Sequence, residues 1–238
     1  MIAKWAILWA LIGALLLGGC TEMLAPPETI TESVELADAE RARVLVQMIV
    51  GELTISGGAT DLMEGQFTYS ASRYAPEISY AVREEGIGDL EVRQPTATLP
   101  GVRVETDDNI WNVNLSDDVP LNLLVQMGAG NTWLDLSSLS LEALDIEAGI
   151  GESEIDLSGT WQSDISGHIV AGPERLHLLL PAQTGVRVSI TGPVIEVNVV
   201  GLQGENGVWV NEAFNDDGPN LFLDIEGGGG QIDLEVVQ

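Results

Sequence analysis

Residues 125–136 have the sequence VQMGAGNTWLDL, and residues 146–157, 21 positions later, have the sequence IEAGIGESEIDL. Each copy contains a Gly-x-Gly pair followed by an apolar–Asp–apolar triplet. A tighter copy, GGGGQIDL, occupies residues 227–234. A strand, a glycine corner and a second strand that recur at this spacing are typical of stacked β coils, because glycine lets the backbone turn where other residues cannot. The repeat predicts an all-β fold: a β-solenoid or β-roll of short strands with glycine-rich corners.

Alternation of apolar and polar residues continues through the body of the chain from about Val44. Examples are LEVR at 90–93, WNVNL at 111–115 and VRVSI at 186–190. Alternation with period two indicates half-buried strands. No segment has a long 3.6-residue period, and only residues 29–43 leave room for a short helix. A β-sandwich is the alternative architecture, because it also produces short alternating strands.

The acidic residues follow the same alternation, which predicts the side of each strand that faces solvent. The chain has 37 Asp and Glu against 9 Lys and Arg, for a net charge of −28. Acidic residues on the polar side of a strand are expected to face water, where they keep the protein soluble and oppose edge-to-edge association. Eight residues are predicted to do so: Asp135, Glu147, Asp156, Glu196, Asp224, Glu226, Asp233 and Glu235.

The first twenty residues predict an export signal. Lys4 provides a positive start, residues 5–17 are almost entirely apolar, and Gly18, Gly19 and Cys20 follow. This apolar stretch suits a secretory signal and is short for a membrane span. An uncleaved anchor helix is the alternative.

Leu17-Gly18-Gly19-Cys20 resembles the lipobox of bacterial lipoproteins. The resemblance implies cleavage just before Cys20 and attachment of lipid to its sulfur. Membrane lipid, bound through Cys20, is then the first expected partner. More than one acyl chain gives stable anchoring, so we expect an envelope protein that faces away from the cytoplasm.

Four segments are predicted: a signal helix (residues 1–19), a flexible tether (20–33) and two related β modules (34–120 and 121–238). Prolines 26 and 27 and the absence of periodicity indicate the tether. The two modules are related because VQMIVG at 46–51 matches VQMGAG at 125–130.

Composition argues against several classes of function. Lys4 is the only lysine, so a basic nucleic-acid-binding face and a catalytic lysine are excluded. Cys20 is the only cysteine, which leaves no internal disulfide and no cysteine-rich zinc site. No Gly-x-Ser-x-Gly motif is present. We therefore expect no enzyme, no catalytic residues, no metal and no cofactor.

The remaining candidate ligands are few. His168 and His177 could hold a metal together with a carboxylate, although two separate surface histidines are the simpler interpretation. Asp135 and Asp156 could stack on neighbouring coils with a cation between them. Acidic turns at residues 107–109, 117–118 and 215–218 offer oxygen ligands without calcium-motif spacing.

The tryptophans suggest either a core or a sugar-binding surface. Trp111 shares its phase with Val113 and Leu115, which places it in the core. Trp133 and Trp161 fit the alternation less clearly and are the better surface candidates, and Trp209 is expected in the core.

Two blocks, residues 39–95 and 109–238, resemble the toast-rack family. The first includes VQMIVGELTISGG, and the second includes LDIEAGIGESEIDLSG and LFLDIEGGGGQIDLEV. The C-terminal part resembles the β domain of LiaF-type cell-wall-antibiotic-response proteins. The resemblance implies a non-enzymatic envelope protein linked to an envelope-stress response, with an envelope protein or sensor kinase as partner. A structural or adhesive surface protein and a carboxylate-based glycan hydrolase are the alternatives.

Overall fold

The structure is a computed structural model that describes residues 26–70, 75–95, 109–215 and 217–237. A 3₁₀ turn at Glu84–Gly86 separates two strands. None of the described residues belongs to a helix long and apolar enough to cross a membrane. There are seventeen strands in the described residues: β1 Glu28–Val34, β2 Arg41–Ser56, β3 Met63–Tyr69, β4 Glu77–Val82, β5 Ile87–Arg93, β6 Asn109–Leu115, β7 Leu121–Asp135, β8 Leu141–Glu147, β9 Ser153–Asp156, β10 Ile165–Val170, β11 Arg175–Pro181, β12 Gly185–Thr191, β13 Glu196–Val200, β14 Gln203–Glu205, β15 Val208–Val210, β16 Asn220–Glu226 and β17 Gln231–Val237.

The strands form two sheets joined along a common corner. The long strands β2 and β7 bend at Gly51 and Gly130, so each contributes its first half to one sheet and its second half to the other. Sheet A has the order β4-β5-β2-β7-β8-β10-β16-β12-β15-β14. Sheet B has the order β1-β3-β6-β2-β7-β9-β11-β17-β13.

The parallel strands stack in seven layers, here called rungs, and each rung contributes one strand or one half of a long strand to each sheet. This stack confirms the predicted solenoid architecture. From base to top they are β5/β6, β2, β7, β8/β9, β10/β11, β16/β17 and β12/β13. Antiparallel strands cover the base (β4, β3, β1) and the top of sheet A (β15, β14). The rungs do not follow chain order: the last strands, β16/β17, lie between two rungs made from earlier residues.

One hydrophobic core fills the space between the sheets. It joins residues of both predicted modules, from Val44 and Trp111 to Leu178 and Leu234. Trp111 is fully buried and meets Phe67 edge to face, with ring centroids 5.3 Å apart. The proposed boundary between residues 120 and 121 stays a prediction, but β2 and β7 pair directly across it.

Glycines form a column along the corner where the chain passes from sheet A to sheet B. The Ile150 N–H donates to the Gly128 carbonyl at 3.0 Å, and the Gly130 N–H donates to the Ile150 carbonyl at 2.8 Å. A Cβ on Gly149 or Gly151 would lie about 2 Å from a carbonyl oxygen of the rung below. Glycine is therefore required because successive corners touch through their backbones.

Side chains replace this backbone contact at the base of the column. The Ile49 and Val50 N–H groups of the β2 corner donate to Oε1 of Gln94, at 2.6 and 3.0 Å. Nδ2 of Asn109 donates to the Val50 carbonyl. Both side chains are buried, so they satisfy corner groups that other rungs pair by backbone.

Two sequence-based expectations fail near the N-terminus. Residues 28–33 of the predicted tether belong to β1, which pairs with β3 in antiparallel register. No helix occupies residues 29–43, because Thr29, Ile30 and Thr31 are β-branched and favour a strand. The signal segment, including Leu17, Gly18, Gly19 and Cys20, lies outside the described residues.

Candidate functional site

The outer surface of sheet B, named here the B face, is a broad polar surface with a clear internal division. Its side chains form rows that cross all nine strands. The middle row, from base to top, contains Thr31, Gln66, Asn112, Thr54, Trp133, Glu154, His177, Asp233 and Asn198.

The B face is mostly uncharged toward its base and acidic toward its top. On the base strands β1, β3, β6 and β2, nine of twelve outward residues are Thr, Ser, Asn or Gln; the three exceptions are Glu52, Glu64 and Ile110. At the strands β9, β11, β17 and β13, six of the twelve corresponding residues are carboxylates: Glu152, which immediately precedes β9, and Glu154, Asp156, Glu196, Asp233 and Glu235. We call these the neutral half and the acidic half.

Trp133 lies between the two halves, on β7. It is 41% exposed, and its cross-strand neighbours are Thr54 of the neutral half and Glu154 of the acidic half. The prediction of Trp133 as a surface residue is confirmed.

The prediction for Trp161 is wrong. Trp161 is 5% exposed, and its Nε1 donates to the Leu157 carbonyl at 3.2 Å. It follows a strand in an irregular loop, where alternation carries no information about direction. Trp111 is buried as predicted, and Trp209 is partly buried against the core.

The two histidines lie on different sheets and form no joint site. His168 is on sheet A, in register between Asp145 and Asp224, and its Nδ1 is 3.6 Å from Asp145. His177 is on the B face, with its ring nitrogens 3.5 Å from Glu154 and Glu235. Each histidine therefore separates carboxylates of adjoining rungs. In the part of the chain that the structure describes, no group of three or more His, Cys, Asp or Glu residues is placed to hold a metal ion.

Asp233 has more hydrogen-bond and ion-pair partners than the other carboxylates of the acidic half. Burial alone would raise its pKa, but amide donors and positive charge outweigh burial and lower the pKa below the usual 3.8. The donors are Gln231 Nε2 and Asn198 Nδ2, each 2.8 Å from Oδ1. Arg175 Nε lies 3.3 Å from Oδ2, and His177 also contributes. The site thus favours the ionised form.

We expect Asp233→Asn to lower the free energy of unfolding by about 1 kcal/mol at pH 7, because charge-assisted hydrogen bonds are lost. A depressed native pKa stabilises the fold above the unfolded-state pKa, and this stabilisation disappears as the pH falls through the native value. Wild type and variant should therefore converge as the pH falls through the lowered native pKa of Asp233.

Urea denaturation from pH 7 downward measures this difference. Glu196→Gln, on the neighbouring strand, is the matched control and should stay within about 0.5 kcal/mol of wild type at pH 7. A difference between Asp233→Asn and wild type that is constant over the whole pH range would contradict the assignment.

The predicted acidic sites have mixed outcomes. Asp135 and Asp156 are direct partners on adjacent rungs, as predicted. Each accepts a hydrogen bond from a serine N–H two residues later. Asp117 Oδ1 accepts from the Gly58 N–H and the Ser138 hydroxyl. Residues 107, 108 and 216 of the other acidic turns lie outside the described residues.

A cavity of about 240 Å³ lies at the corner where sheet B returns to sheet A. Ser137, Ser138, Ser140 and Trp161 contribute to its lining, and Glu142 is its one lining carboxylate. A glycosidase needs two opposed carboxylates, and this lining does not supply the pair.

Fold and surface together define a stacked-coil β protein with broad polar faces. Residues 24–173 match the model for the N-terminal domain of toast_rack (DUF2154). The chain therefore belongs to the toast-rack family, as predicted from its sequence.

A solved structure has a similar fold over nearly the whole chain. The crystal structure of a proposed cell adhesion protein from Clostridium sporogenes is 30% identical and has a TM-score of 0.84; the match covers 89% of this chain and 100% of that one. Proposed adhesins from Bacteroides fragilis (12% identity, TM-score 0.30, 87% and 97% coverage) and Parabacteroides distasonis (14%, 0.31, 88% and 97%) are more distant. No curated protein matches the sequence.

Proposed function

We propose that this protein is a lipid-anchored adhesive protein of the bacterial cell surface and acts by binding, not catalysis. The observation that carries the proposal is the similarity to the Clostridium sporogenes cell adhesion protein over nearly the whole chain. The broad polar faces support it, because binding by a rigid surface needs an extended array of fixed side chains.

Anchoring at Cys20 suits the direction of the stack. β1 begins at Glu28, eight residues after Cys20, and is the base strand of sheet B. The opposite edge, β13, lies eight strand spacings away, or about 38 Å. A short tether from the base would hold the stack beside the membrane and leave its outer faces free for ligands.

Regulation of an envelope-stress sensor kinase is the second candidate. The resemblance of the C-terminal part to LiaF-type proteins favours it, and the acidic half of the B face offers complementary charge to a basic partner. In this case the partner is a membrane protein of the same cell, whereas adhesion requires a ligand outside it.

Comparison of wild type with Cys20→Ser tests the anchor and both functions. Wild type should take up labelled fatty acid, fractionate with membranes and promote cell attachment. The serine variant should lose the label, leave the membrane fraction and lower attachment at least severalfold. Thr21→Ser, which keeps the cysteine, is the matched control and should behave like wild type.

Two outcomes separate the candidates. Unchanged attachment in cells that lack the protein would overturn the adhesive function. Recovery of a sensor kinase by cross-linking to wild type but not to Cys20→Ser would support the regulatory function instead. A membrane-bound Cys20→Ser protein would contradict lipid anchoring.

A further inference from the structure

We propose that the neutral half of the B face, together with Trp133, binds a linear uncharged glycan. This inference rests on the adhesive function proposed above and names the class of ligand. It depends on the exposed aromatic ring, on the uncharged polar rows beside it and on the acidic boundary.

Trp133 provides the apolar contact. Its exposed indole is the one Trp, Tyr or Phe side chain among the described outward residues of the B face. A β-sheet face holds the ring on a rigid base, since the Trp133 backbone pairs with both β2 and β9. The C–H side of a sugar ring packs on an aromatic face while its hydroxyls remain free for polar contacts.

The middle row of the neutral half provides those polar contacts. Thr54, Asn112, Gln66 and Thr31 follow Trp133 on successive strands toward the base. Strand spacing makes this row about 19 Å long from Trp133 to Thr31, enough for several linked sugar rings. Hydroxyl and amide groups both donate and accept hydrogen bonds, as sugar hydroxyls do.

These side chains are available for a ligand. Gln66 and Asn112 are exposed, and neither they nor Thr54 make a side-chain hydrogen bond to another described residue. By contrast, in the flanking rows Ser56 donates to Asn114, and Thr29 pairs with Thr68. The side chains of the flanking rows bond to one another across neighbouring strands, whereas those of the middle row keep their hydrogen-bonding groups for a ligand.

The charge distribution selects for an uncharged ligand. Ten of twelve outward residues in the neutral half carry no charge, in a chain with 37 acidic residues. Glu152 and Glu154 lie immediately on the other side of Trp133. A polyanionic glycan placed on Trp133 would be repelled by these carboxylates, whereas a neutral one would not.

Glycan binding by the purified full-length protein, in a detergent without a sugar headgroup, tests the proposal. The probes are immobilised linear oligomers of glucose, mannose, galactose and N-acetylglucosamine, with polygalacturonate as the anionic comparison. At least one neutral oligomer should bind, with affinity that changes little between low and high salt. Trp133→Ala should weaken that binding at least tenfold, and Thr54→Val severalfold.

Ile150→Ala is the matched control, because Ile150 is 58% exposed at the glycine corner, outside the B face. It should bind like wild type. The proposal is overturned if no neutral oligomer binds, if Trp133→Ala binds as well as wild type, or if only polygalacturonate binds. These outcomes concern glycan affinity alone, so they are distinguishable from loss of anchoring or attachment in the Cys20→Ser experiment.

Discussion

Replacement of Gly151 by alanine is expected to lower the free energy of unfolding by about 4 kcal/mol. Gly151 has φ +135°, and an added Cβ would lie 1.9 Å from the Gly130 carbonyl oxygen. That oxygen is backbone of the next rung and cannot swing aside as a side chain could. The substitution therefore combines a strained backbone conformation with a collision inside the glycine column. Urea denaturation measures the loss.

Gly229→Ala is the matched control for this effect. Gly229 also has positive φ, +91°, but an added Cβ would meet no atom within 4 Å. Only conformational strain remains, which costs about 1–2 kcal/mol. If both variants lost the same stability, contact between corners would not be the reason for the glycines.

Trp111→Ala is expected to lower the free energy of unfolding by about 4 kcal/mol, because a fully buried indole leaves a cavity that rigid sheets cannot close. Trp111 is 0% exposed and loses its edge-to-face contact with Phe67. Both residues lie near the base, where β6 and β3 cover the core. Thermal and urea unfolding report the change.

Trp133→Ala makes the same chemical change on the solvent side of sheet B. It should lower stability by at most about 1 kcal/mol, as expected for a residue that packs on one side only. A loss as large as that of Trp111→Ala would show that Trp133 belongs to the folding core, and would weaken its assignment to a ligand site.

Local sequence predicted the stacking and the corners well. The 21-residue spacing placed Gly130 beneath Gly151 and Asp135 beside Asp156, and the structure has both pairs in register. This worked because a solenoid repeats one local geometry, so equal spacing gives equal position. The acidic residues of the polar phase likewise lie outside the core.

Long-range pairing was beyond the reach of sequence periodicity. Any strand with the right alternation could lie beside any other, so nothing local placed β16/β17 between β10/β11 and β12/β13. The B face shows the same limit. Thr31, Gln66, Asn112 and Thr54 are scattered along the chain, and only the sheet order joins them into one row. Trp133 could be selected alone, but its surroundings could not.

The inserted final rung also determines when the molecule can be completed. Strand β16 (Asn220–Glu226) lies between β10 and β12, and β17 (Gln231–Val237) lies between β11 and β13. No other strand pairs with both members of either couple. The residues of β16 and β17 follow all the other described strands in chain order. Strands β12 and β13 precede β16 and β17 in the chain, yet they join the parallel stack only through them, so the upper rungs assemble out of chain order.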